Sequence, residues 1–135
     1  MNQQSKLCVE DVMSSEYLLL PGMATVAEAL KQMTPLSAHA VIVNKRSDED
    51  EYGIVLTSDI AKHVLAKDRS PERVNLYEIM TKPVLTVEPT MRIRYCARKL
   101  DHFGISTAPV VANGVIKGMV TYDVLVLKGL APAAS

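Results

Sequence analysis

The sequence says one thing twice. "YGIVLTSDI" at 52–60 and "KGMVTYDVL" at 117–125 each pass from Gly through aliphatics to a Thr placed two residues before an Asp. Upstream, Val9, Val12 and Met13 recur as Leu76, Ile79 and Met80, each 67 positions later. Val26, Ala29, Leu30 and Met33 recur as Ile93, Cys96, Ala97 and Leu100 at the same offset. Self-similarity at a fixed period is the mark of one structural unit written twice. Further on the offset drifts. Val41-Ile42-Val43 aligns with Val110-Val111 at 69, Asp59 aligns with Asp123 at 64, and the first repeat lacks a counterpart of Gly104-Ile105. The first repeat also carries the acidic loop "NKRSDEDEY" where the second has "ANGVIK". Loops absorb such length changes around fixed apolar anchors.

Each repeat predicts the same elements. "VEDVM" and "NLYEIM" are short amphipathic turns, and "YLLL" and "VLTV" are brief strands. Apolar residues at i, i+3, i+4 and i+7 then predict a helix from Val26 to Met33 and another from Ile93 to Leu100. Thr25 with Glu28 three residues on forms a capping box. Two strands follow, "AVIVN" with "GIVLT" and "APVVA" with "GMVT", and a last helix starts near Asp59 and near Asp123. The fold class is α+β, with two tandem repeats at 7–66 and 76–129, a polar linker at 67–75 and a disordered tail at 130–135. A half of this size buries too little surface to stand alone, so the halves are expected to pack sheet against sheet.

Composition narrows the function classes. Hydrophobic residues are 48% of the 135, while aromatics are 4% and Trp is absent, so the core is aliphatic. Fifteen basic residues balance fifteen acidic ones, which argues against nucleic-acid binding. Cys8 and Cys96 have no metal-ligand spacing and read as reduced thiols. No apolar run approaches the roughly 18 residues of a membrane helix. The expected location is cytoplasmic, with no membrane association.

The ordered series resembles a known family. "VEDVM", "TVAEALKQM", "AVIVN" and "GIVLTSDI" resemble one CBS motif, and "LYEIMTKPVLTV", "CARKLDHFGISTAPVV" and "GMVTYDVL" a second. The chain resembles a stand-alone CBS pair, or Bateman module. That resemblance implies β-α-β-β-α repeats with pseudo-twofold symmetry, a homodimer, and an adenosine-containing ligand (AMP, ADP, ATP or S-adenosylmethionine) in clefts between the repeats. It implies a non-enzymatic regulator with no obligatory cofactor, acting on a separate target enzyme or transporter.

The residues suit such a ligand. A carboxylate accepts hydrogen bonds from both ribose hydroxyls, the role open to Asp59 and Asp123. Hydroxyls beside a helix N-terminus suit phosphate, which singles out Thr57, Ser58 and Thr121. Val84, Leu85, Ala108 and Pro109 fall where the family places the adenine wall, and Tyr17, Leu18, His39 and Ala40 are taken as their counterparts. The family phrase resembles Gly-hydrophobic-x-Thr/Ser-x-Ser/Thr-Asp. Counted from Gly53, Leu56 stands where Thr or Ser is expected; counted from Gly118, Asp123 comes one residue early, about 100° around a helix. Tyr122 is then the residue expected to flank the ligand, and His39 either bonds the base or narrows the pocket.

Blander readings stand beside these. A Thr, Ser or Asp before a helix serves as an N-cap without any ligand. A docking module that binds no small molecule would keep the same caps. The basic stretch "RIRYCARK", with Arg92, Arg94, Arg98 and Lys99, reads as a solvated helix face or a reach towards polyphosphate. Lys62 and His63 read as surface residues. His39, His63 and His102 have no zinc spacing, and "SDEDE" lacks the Gly and terminal Glu of a calcium loop. No nucleophile elbow, Walker loop or dinucleotide glycine motif is present.

Overall fold

A computed structural model describes residues 6–130. In chain order its elements are α1 (Val9–Val12), β1 (Leu19–Leu20), α2 (Val26–Leu36), β2 (Ala40–Val43), β3 (Gly53–Leu56), α3 (Thr57–Ile60), α4 (Leu76–Ile79), α5 (Ile93–Phe103), β4 (Thr107–Ala112), β5 (Val115–Thr121) and α6 (Tyr122–Val124). Helix α3 widens into π-type turns over Ala61–Leu65, and α6 does so over Leu125–Leu130. Leu130, expected in a tail, closes that final helix, and the rest of the expected tail lies outside the described residues.

The compact units are not the sequence repeats. One unit runs from Leu18 to Val84; the other joins the segment up to Tyr17 with the segment from Leu85 onward. In the first, Val26, Ala29 and Met33 of α2 pack against Val41 and Val43 of β2 and Val55 of β3, and Leu76 and Ile79 of α4 complete the core. In the second, Ile93, Cys96 and Leu100 of α5 pack with Ala108, Val110 and Val120, and Val9 and Val12 of α1 complete it. The leading helix of each sequence repeat therefore serves the core built from the other. Val74, within the expected polar linker, is also core: it is 1% exposed and its carbonyl accepts from the Val26 amide at 2.8 Å.

The sheets follow from β-branched runs that bury one face on a helix. β1 runs parallel to β2, which is antiparallel to β3. β4 and β5 are antiparallel, with an irregularity between Val110 and Val111. "YLLL" pairs only through Leu19–Leu20, and "VLTV" forms no strand, only a bridge from Val87 to Val110. Asn113 and Gly114 have φ of 53° and 75°, the positive pair that a two-residue hairpin requires.

Backbone pairing corrects the sequence alignment. Ala40 pairs with Leu56 and Thr107 with Thr121; the Asn44 amide bonds Leu20 as the Val111 amide bonds Val87. The offset of 67 thus holds through Asn44 and Val111 and becomes 65 from Gly53 and Gly118 onward. Gly104-Ile105 has a counterpart after all. Ser37, φ 49°, ends α2 as Gly104, φ 65°, ends α5, and the Ala38 and Ile105 amides both return to a helix carbonyl. The helix stop was hidden because Ser fills the left-handed position where Gly is usual.

The Gly that opens each repeated phrase is steric. A Cβ on Gly53 would lie 2.9 Å from Met80 Sδ and 3.2 Å from the Thr81 carbonyl oxygen. A Cβ on Gly118 would lie 2.5 Å from the Ser14 carbonyl oxygen and 2.9 Å from Met13 Sδ. At both places a bridge joins the residues: Ile54 with Thr81, and Ser14 with Met119.

The long loop after β2 is held by Asp50. Its carboxylate meets Lys82 Nζ at 2.7 Å and accepts from the Arg46 amide at 2.9 Å. The Lys82 ammonium first, then the amides of Arg46 and Glu51, hold the Asp50 carboxyl well below the usual carboxylate range.

Three outcomes are expected. Ser37→Gly should stabilise the protein by about 1 kcal/mol in urea unfolding and Gly104→Ser should destabilise it by a similar amount, because only the left-handed backbone differs in cost. Gly118→Ala should cost about 1–3 kcal/mol or more, since backbone lies in its way. The Asp50 pKa is lower folded than unfolded, so its stabilisation is complete above the unfolded value of about 4 and is lost as pH falls below it. Asp50→Asn should therefore flatten the acid limb of a melting-temperature-against-pH curve; an unchanged limb would remove Asp50 from the loop's anchoring.

Candidate functional site

Four helices share one capping device. A carboxylate at the third helical position reaches back to the amide of the N-cap residue: Asp11 to Cys8 at 2.8 Å, Glu28 to Thr25 at 3.2 Å, Asp59 to Leu56 at 2.8 Å and Glu78 to Asn75 at 2.7 Å. This satisfies a donor that helix geometry leaves orphaned. Only α2 completes the reciprocal box in full, with the Glu28 amide donating to Thr25 Oγ1 at 3.1 Å. The expected capping box at Thr25 and Glu28 is there.

In the unit Leu18–Val84, the end of β3 collects several of the singled-out residues. The Thr57 amide donates to the His39 carbonyl at 2.9 Å, and Ala40 pairs with Leu56, so β2 and α3 present His39, Ala40, Thr57, Ser58 and Asp59 together. His39, Thr57 and Ser58 are exposed, and Asp59 is half-buried. Asp59 gives Oδ2 to the helix cap; its Oδ1 takes no protein hydrogen bond among the described residues. A carboxylate oxygen keeps a second lone pair, so the cap leaves acceptor capacity on both oxygens. Leu18 leans on the core, and its carbonyl accepts from Ile42. Val84 is elsewhere: its amide bonds the Tyr52 carbonyl, at the end of β3 remote from α3.

The other unit solves the same junction differently. Thr121 is the N-cap of α6, with Oγ1 accepting from the Val124 amide at 3.2 Å. The Tyr122 amide donates to the Ser106 carbonyl at 3.3 Å, as Thr57 does to His39. The structural counterpart of Asp59 is therefore Val124, half-buried against the core, and Asp123 sits one position earlier and exposed. Tyr122 and Tyr17 are each 36% exposed. Leu85 is half-buried. Ala108 is fully buried in the unit's core, and Pro109, also buried, gives its carbonyl to the Val87 amide. By backbone pairing the counterparts of Ala108 and Pro109 are Val41 and Ile42, two positions beyond the expected His39 and Ala40.

The weaker candidates are spoken for locally. Arg92 donates to the Lys6 carbonyl, and Lys99 Nζ to the Thr86 carbonyl at 2.9 Å. Arg94 and Arg98 lie over the Tyr95 ring at 5.0 and 5.4 Å. Cys96 is buried, which pushes its thiol pKa up, and Cys8 is half-buried. Among the described residues no cluster of His, Cys, Asp and Glu could hold a metal ion, and no helix is long and apolar enough to cross a membrane.

Known proteins share this arrangement. A protein from Methanopyrus kandleri is 33% identical over 102 residues, which cover 75% of this chain and 51% of that one. A homoserine O-acetyltransferase from Methanococcus vannielii is 28% identical over 88% of this chain and 24% of its own. The chain thus spans about half or less of the length of the curated relatives it matches. A hexameric CBS-CP12 protein from bloom-forming cyanobacteria superposes with a TM-score of 0.88 at 32% identity, covering 92% of this chain and 72% of that one. A CBS domain pair solved with 5′-methylthioadenosine and S-adenosyl-L-methionine superposes at 0.77 over 90% of this chain and 94% of that one, a likeness of fold at 24% identity. The family model of the CBS domain matches residues 9–66 and 76–127, and the chain belongs to the CBS domain family as two tandem repeats.

Proposed function

We propose that this CBS pair is a non-enzymatic regulatory module that binds an adenosine-containing ligand, an adenine nucleotide such as AMP, ADP or ATP. The observation that carries this reading is the α3 junction. There an exposed pair of hydroxyls, Thr57 and Ser58, stands beside a carboxylate with unused acceptor capacity, Asp59, on a strand end that also shows His39. Hydroxyls and helix amides suit phosphate, and the carboxylate suits a ribose diol. The α6 junction offers Thr121 and Tyr122 but no carboxylate in the matching position, so the α3 junction is the stronger site. The structural neighbour that holds methylthioadenosine and S-adenosylmethionine supports an adenosyl ligand as a class. Leu18 and Ala40, of the same unit, are carried as its apolar surroundings on the family resemblance alone.

The same reading makes the protein a cytoplasmic homodimer that signals to a separate enzyme or transporter. Leu36 and Phe103 occupy equivalent places at the ends of α2 and α5 and are 61% and 55% exposed. Leu65 and Leu130 likewise end the two final helices, exposed at 78% and 49%. Apolar positions left uncovered at equivalent places in both units suit a self-complementary interface. They also favour a second reading, a docking module without a small ligand, in which Asp59 and Thr121 do nothing but cap helices.

Thermal melting with AMP, ADP, ATP and S-adenosylmethionine separates the two. A ligand at 100 times its dissociation constant adds about 2.7 kcal/mol, a shift of several degrees. Asp59→Asn keeps a side-chain acceptor for the Leu56 amide but removes the charge. It should leave the melting temperature of the free protein nearly unchanged and weaken nucleotide binding about tenfold by calorimetry. No shift with any of the four at millimolar concentration would leave the docking reading.

A further inference from the structure

Each unit carries a groove at the hairpin end of its sheet, and the two grooves occupy equivalent places. The groove of the unit Leu18–Val84 is a cavity of about 440 Å³; that of the other unit is about 520 Å³. Met80 floors the first as its counterpart Met13 lines the second. Around that shared floor the chemistry diverges. Tyr77 stands where the other unit has Glu10, and Pro21 where it has Glu88. Lys45 and Arg46 stand where the other has Ala112 and Asn113. One scaffold has been given two carboxylates; the other has an aromatic ring and a cationic rim. None of the residues singled out for the adenosine ligand lines either groove.

The cationic groove is held in shape. Gly22 passes so close to Tyr77 that a Cβ there would sit 3.3 Å from the Tyr77 Cβ, and the Tyr77 amide donates to the Gly22 carbonyl at 3.0 Å. The ring is half exposed above a floor of Val43 and Met80. Lys82 is fixed to both oxygens of Asp50, at 2.7 and 2.9 Å. Arg46 uses only Nε on that carboxylate, at 3.4 Å, and its side chain is 86% exposed. One cation, Lys45, holds its Nζ over the Tyr52 ring, 5.1 Å from the centroid, and two others, Lys82 and Arg46, share one carboxylate at the mouth of an apolar, partly aromatic hollow. Its volume falls in the range of small-molecule sites, and a rim already ordered lowers the cost of binding. An apolar flat body suits Tyr77 and Met80, and an anionic head suits the exposed Arg46 guanidinium beside Lys45.

We infer that this groove is a second binding site, separate from the α3 junction, for a small organic anion with a flat apolar body, of the aryl phosphate type. The full chain is titrated with 1-naphthyl phosphate and, in parallel, with inorganic phosphate, by calorimetry. The naphthyl compound should bind saturably and at least tenfold tighter than inorganic phosphate. Lys45→Gln with Arg46→Gln should weaken it about tenfold, and Tyr77→Ala should weaken it as well. Lys117→Gln, at the rim of the other groove, should leave it within twofold. Lys45 and Arg46 lie on a surface loop, and the melting temperature of each variant verifies that it is folded. If the double variant is unfolded, Lys45→Gln alone is the test and should give a loss of at least threefold. The inference is overturned by no saturable binding at millimolar concentration, by equal affinity for inorganic phosphate, or by folded groove variants that bind as the parent does.

Discussion

Two glycines mark the place in each unit where the chain crosses the start of a strand. Gly53 and Gly118 have no side chain where Met80 with Thr81, and Met13 with Ser14, cross the start of a strand. Those crossing residues directly follow α4 and α1, the leading helices of the repeats. At Gly118 the backbone of the crossing segment lies at a distance that a Cβ would prevent, and at Gly53 a Cβ would press on Met80 Sδ and the Thr81 carbonyl. Everything else about each unit depends on that approach, because Leu76 and Ile79, or Val9 and Val12, reach the core only when the helix lies this near the sheet. The helix that does so comes from the neighbouring repeat in sequence. Neither repeat, taken as a contiguous segment, contains its own complete core.

The phrase that is written twice is then a junction of strand and helix with two different fastenings. At α3 a carboxylate at the third helical position holds the N-cap amide; at α6 a hydroxyl at the N-cap holds the third amide. The two devices are the halves of one capping box, divided between the repeats. The apparent match of Asp59 with Asp123 was a coincidence of one residue. The true counterpart of Asp59 is Val124, which spends its side chain on packing. That division frees only α3 to combine hydroxyls with a charged acceptor, and it is why the two junctions are unequal as ligand sites.

The grooves at the hairpin ends show the same principle in another place. The two grooves share a methionine floor and differ along the rim. The longer loop after β2 brings Asp50 back onto Lys82 and Arg46, a fastening that the two-residue turn at Asn113-Gly114 has no room for.

Much of this was legible in the residues. The α2 and α5 helices, the short leading helices, the capping box at Thr25 and Glu28, and the family itself follow from spacing and from contacts within four residues, which a linear sequence records directly. Strand partners and register were not legible. Ser37 hid a helix stop because its backbone takes a conformation that the sequence advertises only with Gly. "VLTV" looked like a strand because propensity is local, whereas a ladder needs successive paired residues, and here Val87 forms an isolated bridge and Val84 a single bond to Tyr52. Val74 looked like linker and is core. The sequence by itself determined that there are two copies of one unit and what chemistry each copy carries. Only the tertiary structure decided which helix closes which core, which of two aspartates stands at the third position, and which cations meet over one floor. Those outcomes rest on contacts between residues tens of positions apart, and chain order does not encode distance in space.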